Sequence, residues 1–148
     1  MTQYVANKKA HFNYEILERY EAGIELLGHE VKTLRSKRGS LEGAYVIVRG
    51  SEAFVTGMHI PPYQVKNVEE SYDPYRNRKL LLTKDEIKKL AGNESKSGLT
   101  IVPISVYNSR RNLKIEIAIV RGKKKFDKRE TIKKRETDRE IRREFKDR

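Results

Sequence analysis

The chain has 148 residues, with 33 Lys and Arg against 21 Asp and Glu and a formal charge of +12. That length suits one compact domain, and an apolar share of 36%, equal to the charged share, is low for a packed chain yet too high for full disorder. The absence of cysteine excludes disulfides, thiolate metal sites and Cys nucleophiles. No apolar run reaches the ~20 residues of a bilayer span and the start MTQYVANKKAHF lacks a signal peptide's apolar stretch, so a soluble, intracellular protein is expected.

From Phe12 to Leu27 the even positions are Phe, Tyr, Ile, Glu, Tyr, Ala, Ile and Leu, while the odd ones are mostly Glu, Arg or Asn. This alternation outweighs the helix propensity of ERYEAGIELL and predicts one long half-buried strand, with a bulge or bend at Gly23. A short helix follows over about His29–Lys37, where Leu27, Val31 and Leu34 stack at i, i+4 and i+7 and Gly39 is available as C-cap. AYVIV and AFVTGMHI around RGSE form a hairpin closed by Pro61-Pro62. After a polar loop over residues 64–77 comes Leu80-Leu81-Leu82. Thr83 and Glu86 then form a capping box, with Leu82 and Ile87 as its staple and Gly92 as the stop. The strands LTIVPISVY and LKIEIAIVR are joined by Asn-Ser-Arg-Arg-Asn, the second alternating Leu113, Ile115, Ile117 and Ile119 inward. The predicted fold is mainly β: an OB-like antiparallel barrel, closed or nearly so, with two or three short helices.

The last 28 residues differ in kind. Residues 121–148 hold 14 Lys and Arg, 7 Asp and Glu, and four large apolar side chains, Phe126, Ile132, Ile141 and Phe145. Burying four such groups yields roughly 6–12 kcal/mol, whereas ordering each backbone unit costs about 1–2 kcal/mol. The expected division is therefore a barrel over 1–120 and a basic tail over 121–148, disordered when free. Glu130–Lys134, Asp138–Arg142 and Glu144–Arg148 at i,i+4 favour a helix once a surface is supplied.

His11, His29 and His59 show no metal spacing, and no phosphate loop, G-x-S-x-G or H-E-x-x-H is present. His59, before Ile60-Pro61-Pro62, is read as a structural strand-end residue. Glu21 and Glu25 flank Gly23 on the polar face of the first strand, an arrangement shared by acid–base pairs and ordinary surface acids. No catalytic spacing singles out a reaction, and no cofactor is expected. Cations cluster at Lys8-Lys9, Lys32/Arg35/Lys37/Arg38, Arg76/Arg78/Lys79, Arg110-Arg111 and the tail, with Phe12, Tyr63, Tyr72, Tyr75, Tyr107 and Phe126 among them. Cations neutralise phosphates and flat rings stack unpaired bases, so nucleic acid is the expected partner. Lys32 and Arg35 share a helix face opposite Val31 and Leu34, forming a basic ridge.

Six collinear blocks resemble the SsrA-binding protein (small protein B) family. They are Asn7-Lys8-Lys9-Ala10, the stretch Tyr20 to Arg35 (YEAGIELLGHEVKTLR), His59-Ile60-Pro61-Pro62-Tyr63, Arg78-Lys79-Leu80-Leu81-Leu82, Gly98 to Pro103 (GLTIVP) and Gly122 to Arg129 (GKKKFDKR). The resemblance implies a cytoplasmic OB-fold protein, not an enzyme, monomeric and without a membrane partner, that binds the tRNA-like domain of transfer-messenger RNA. It would deliver that RNA to stalled ribosomes for trans-translation, meeting elongation factor Tu indirectly through the aminoacylated RNA. The tail would sense the empty mRNA channel. Carried over by motif, the RNA-binding residues are Lys8, Lys9, Glu21, Lys32, Arg35, Arg78, Lys79, Leu81 and Thr83. Thr83, where the family often has Asn, has equal claims as RNA contact and as helix cap. Gly122, Lys123, Lys124, Phe126, Asp127, Lys128 and Arg129 would meet the decoding centre and guide the tail. The alternatives are a basic OB-like ribosomal or RNA-chaperone protein binding rRNA, and an RNA-processing enzyme using His59 with Glu21 or Glu25.

Overall fold

In the computed structural model, residues 2–64 and 70–123 are described. Seven strands form one antiparallel sheet: β1 (Gln3–Ala6), β2 (Tyr14–Ile24), β3 (Tyr45–Arg49), β4 (Glu52–Thr56), β5 (Arg78–Leu81), β6 (Leu99–Ser109) and β7 (Asn112–Gly122), in the order β1-β6-β7-β2-β5-β4-β3. Among the described residues three helices accompany it: α1 (Ala10–Asn13), α2 (Gly28–Arg35) and α3 (Lys84–Glu94). The sheet curls until β3 lies beside β6, but no ladder joins these two strands. The expected closure is thus left open by hydrogen bonding. Helix α3 lies against both β3 and β6, burying Leu90 in the core and accepting the Val48 amide on Glu94 Oε2 at 2.7 Å. The result is an OB-like fold.

The predicted first strand divides in an instructive way. Phe12 and Asn13 belong to α1, and the strand begins at Tyr14. The bulge falls at Leu17, between the pairs Ile16–Val120 and Glu18–Ile119, rather than at Gly23. It inserts one residue and so exchanges the faces. Tyr14 and Ile16 pack with Ala10, Val102, Ile104, Ala118 and Val120 on the outer side of the sheet, while Tyr20, Ala22 and Ile24 enter the main core. One even-numbered apolar series therefore serves two cores. Helix α1 covers the outer one. The unbroken run Ile117-Ala118-Ile119-Val120 is what strands buried on both faces require.

Smaller differences follow from local chemistry. Helix α2 ends at Arg35 in a Schellman pair, Lys37 N–H donating to Leu34 O (2.9 Å) and Arg38 N–H to Thr33 O (3.2 Å). Lys37, at φ 63°, takes the left-handed position expected of Gly39. Gly92 lies inside α3, which continues to Glu94. Strand β7 runs through Arg121 and Gly122, paired with Glu15 and Tyr14, two residues past the expected boundary at 120. The expectation of a tail disordered when free falls outside the described residues.

Candidate nucleic-acid interface

Beyond the Leu17 bulge, the odd residues of β2 point away from the core. A cross-strand row joins Tyr107 (β6), Lys114 (β7), Gly23 (β2) and Leu81 (β5), with Glu21 paired to Glu116 one step along. Leu81 is 51% exposed, unusual for a strand leucine beside a core. Gly23 makes its place: a Cβ there would come within 3.1 Å of Leu81 Cβ. The glycine read from sequence as a bend is instead a site of close approach. Leu81 lies over bare backbone, and together they form an apolar shelf.

Glu21 borders this shelf. Tyr107 reaches across β7 and donates its phenol proton to Glu21 Oε2. Burial first, then that bond and the charges of Glu21 and Glu116, push the Tyr107 phenol well above its ordinary range. It therefore remains a donor at any physiological pH. Arg19 Nη1 holds Glu116 Oε1 at 2.6 Å, so the neighbouring acid is neutralised. What remains is a carboxylate fixed through one oxygen beside an exposed leucine, suited to accepting base N–H donors. Lys79 lines the same side, with its ammonium 3.2 Å from Glu52. On α2, Lys32 and Arg35 are exposed, and Arg35 Nη2 lies 3.4 Å from the Arg111 carbonyl in the β6–β7 turn.

The structure separates the sequence-predicted residues into two places. Glu21, Lys79 and Leu81 share the shelf, and α2 with Lys32 and Arg35 follows the end of β2. Lys8 and Lys9 precede α1 at the other end of that strand, where Lys9 pairs with Glu42 at 2.5 Å. Gly122 and Lys123 are at that same end, Lys123 donating from its amide to Asn13 O (2.9 Å) and from Nζ to His11 O (2.7 Å). Lys124, Phe126, Asp127, Lys128 and Arg129 lie outside the described residues. Thr83 caps α3: its Oγ1 accepts the Glu86 amide at 3.2 Å and donates to Glu86 Oε1 at 3.0 Å.

Arg78 requires correction. Assigned to the RNA face by motif, it is fully buried. Its guanidinium donates to Glu30 Oε2 (2.7 Å), Met58 O (2.8 Å), the Tyr72 phenol (3.0 Å) and Pro74 O (3.0 Å). A fifth bond, to Arg76 O (3.2 Å), leaves no donor for a phosphate. Its partner Glu30, also buried, accepts in addition the Leu27 amide (2.7 Å), the Tyr72 hydroxyl (2.8 Å) and a bidentate bond from Arg76 (2.5 and 3.1 Å). Burial alone would raise the Glu30 carboxyl, but the Arg76 hydrogen bond, the Leu27 amide and Arg78 outweigh it and hold it at about 2. Sequence reading missed this network. The available signal was an acid three residues after a helix start whose N-cap, Leu27, has no side-chain acceptor.

The SmpB protein family model matches residues 4–147. The chain belongs to the SmpB family. It is 50% identical over 140 residues to the SsrA-binding protein of Elusimicrobium minutum (strain Pei191), covering 95% of this chain and 88% of that relative. With the SsrA-binding protein of Malacoplasma penetrans (strain HF-2) it shares 48% over 142 residues, 96% of this chain and 97% of the other. Among solved structures, a chain from a tmRNA–SmpB structure at the center of the bacterial ribosome superposes with a TM-score of 0.68. That chain is 39% identical, with 86% of this chain and 92% of that one covered. The shelf of Glu21, Gly23 and Leu81 thus lies within a fold shared with this SmpB.

Proposed function

We propose that this SmpB-family protein binds the tRNA-like domain of transfer-messenger RNA on the outer face of β2 and β5 and brings that RNA to stalled ribosomes for trans-translation. The observation that carries the interface is the convergence on one exposed face of Glu21, fixed by Tyr107, and Leu81, seated over Gly23. Family membership over nearly the whole chain and the likeness to a solved tmRNA–SmpB chain support the same partner and are consistent with a cytoplasmic setting at the ribosome. Lys32, Arg35 and Lys79 serve phosphates beside the shelf, and Lys8 and Lys9 do so at the far end of β2. Thr83 acts as a helix cap.

Gly122 and Lys123 start the basic segment beside α1, and the residues after them engage the decoding centre and mRNA channel. Fourteen cations in residues 121–148 suit rRNA phosphates, whose counterions they would release. The protein is an RNA binder rather than an enzyme. For cleavage by His59 with Glu21 or Glu25 the geometry is unsuited: the His59 ring rests on Tyr75, and Glu21 is held by Tyr107. Sequencing the RNA bound to the purified protein tests the proposal. One dominant transfer-messenger RNA is expected; a spread of rRNA fragments would favour the ribosomal or chaperone reading.

A further inference from the structure

We propose that Tyr75, backed by His59, stacks an unpaired base of the transfer-messenger RNA beyond the Glu21–Leu81 shelf, with Lys37 and Arg38, on the segment leading to Ser40, serving its phosphates. This rests on the proposed RNA partner and extends its footprint to a second, separate place.

The structure sorts the tyrosines that stand among the cations. Tyr72 turns inward, its single phenol proton shared between Glu30 Oε2 and the Ile60 carbonyl, 2.8 Å from each. Tyr107 is committed to Glu21. Tyr75 is 57% exposed, more than any other large apolar side chain named among the described residues, and of the four tyrosines that stand among the cations Tyr63 comes second at 40%. An exposed ring is by itself ordinary. Tyr75 is set apart by how firmly it is held.

Its ring rests on the His59 imidazole, centroids 4.7 Å apart and planes tilted by 39°. His59 is fixed by two backbone bonds to Ser40, both 2.9 Å. The Tyr75 amide donates to Asp73 Oδ1 at 2.8 Å, so the acid beside the ring is engaged by backbone. The preceding carbonyl, Pro74 O, accepts from the Ile60 amide and from Arg78 Nη2, each at 3.0 Å. The following residue, Arg76, is clamped to buried Glu30. The buried ion network thus braces the backbone on both sides of an exposed ring. Ordering, usually a cost of binding, is completed on folding.

The charge on the segment that leads to Ser40 suits a nucleotide. Lys37 and Arg38 are exposed and enter no ion pair among the described residues. Arg38 lies two residues before Ser40 and donates long bonds to Pro62 O (3.3 Å) and Tyr63 O (3.4 Å), which keep its guanidinium near this cluster. The side of approach points to the RNA on the shelf. Tyr75, Asn77 and Leu81 are exposed and Lys79 partly so, whereas Arg78 and Leu80 are buried. Leu81 ends β5 and Tyr75 stands in the turn three residues before that strand begins, so both lie on one short segment of chain.

The protein contains no tryptophan, so Tyr75→Trp introduces a single indole into the full chain. Titration with transfer-messenger RNA should quench its fluorescence while affinity is kept, and ribosomes lacking that RNA should not. Tyr75→Ala should weaken binding about 5- to 150-fold, equivalent to about 1–3 kcal/mol for one stacked base. Tyr75→Phe should stay within about twofold. The salt dependence of binding should be unchanged in Tyr75→Ala and less steep in Arg38→Ala. Equal affinity of Tyr75→Ala and wild type, or quenching by ribosomes and not by transfer-messenger RNA, would overturn the inference. If wild type itself fails to bind this RNA, the proposed function falls first; if wild type binds and Tyr75→Ala binds equally, only the stacking site falls.

Discussion

Two glutamates show how one side-chain type serves opposite ends. Glu30 is buried among two guanidiniums, a phenol and an amide, so removing it strands Arg78 in the interior. Glu30→Ala is expected to cost about 3–5 kcal/mol in urea unfolding, as breaking a buried pair does. Its carboxyl is lowered from 4.5 to about 2 in the folded protein, so its contribution is complete above pH about 4.5 and is lost as pH falls toward 2. Stability of wild type relative to Glu30→Ala, measured across that window, should converge at the acid end. Glu21 is exposed and contributes little to folding. By charge alone, Glu21→Ala should tighten binding to a polyanion; the expected outcome is weaker transfer-messenger RNA binding, while Glu25→Ala stays near wild type. Tyr107→Phe should weaken binding about fivefold, as expected for a net hydrogen bond of about 1 kcal/mol, and do nothing further in the Glu21→Ala background. Filter binding at fixed salt measures all four variants. The motif located Glu21 in the sequence but not its partner, which is 86 residues away. For the same reason Arg78 and Lys79, adjacent in a basic cluster, could not be told apart until the strand placed one inward and the other outward.

At the level of elements, the best-marked one, α3, is capped by Thr83 and Glu86 as its sequence states. Thr83→Ala should lower stability by about 1 kcal/mol in thermal or urea unfolding and leave RNA affinity within about twofold, since the hydroxyl is spent on the cap. The hairpin of β3 and β4, the pair β6 and β7 and the core face of β7 were likewise legible, because alternation and turn chemistry are local. The β2 segment was legible only in part. Its even-numbered apolar series gives the period but not the bulge that divides it, because nothing within the segment says that Val120 will face Ile16 while Ile119 faces Glu18. Helix α1 was missed for a related reason. Four residues carry no helical period, and Ala10 is buried because β6 and β7 leave an apolar outer surface to cover.

For the whole molecule, the boundary read from composition at 120 divides a strand that continues to Gly122. A truncation that respects the pairing therefore ends after Lys123, whose amide still meets Asn13. That shortened protein is expected to bind transfer-messenger RNA within about threefold of the full chain and to lose peptide tagging on stalled ribosomes, in a binding assay run beside reconstituted translation. Equal loss in both assays would remove the proposed division of labour.

Strand β2 begins at the corner from which the basic segment departs and ends past the shelf, laddered along this length to β7. Such a rod would act as a gauge: with RNA bound at the proposed shelf, its distance from Gly122 at the other end is set by a count of ladder residues. Removing Leu17 would shorten that gauge by one step and turn Tyr14 and Ile16 toward the wrong core, so misalignment and lost packing would arrive together.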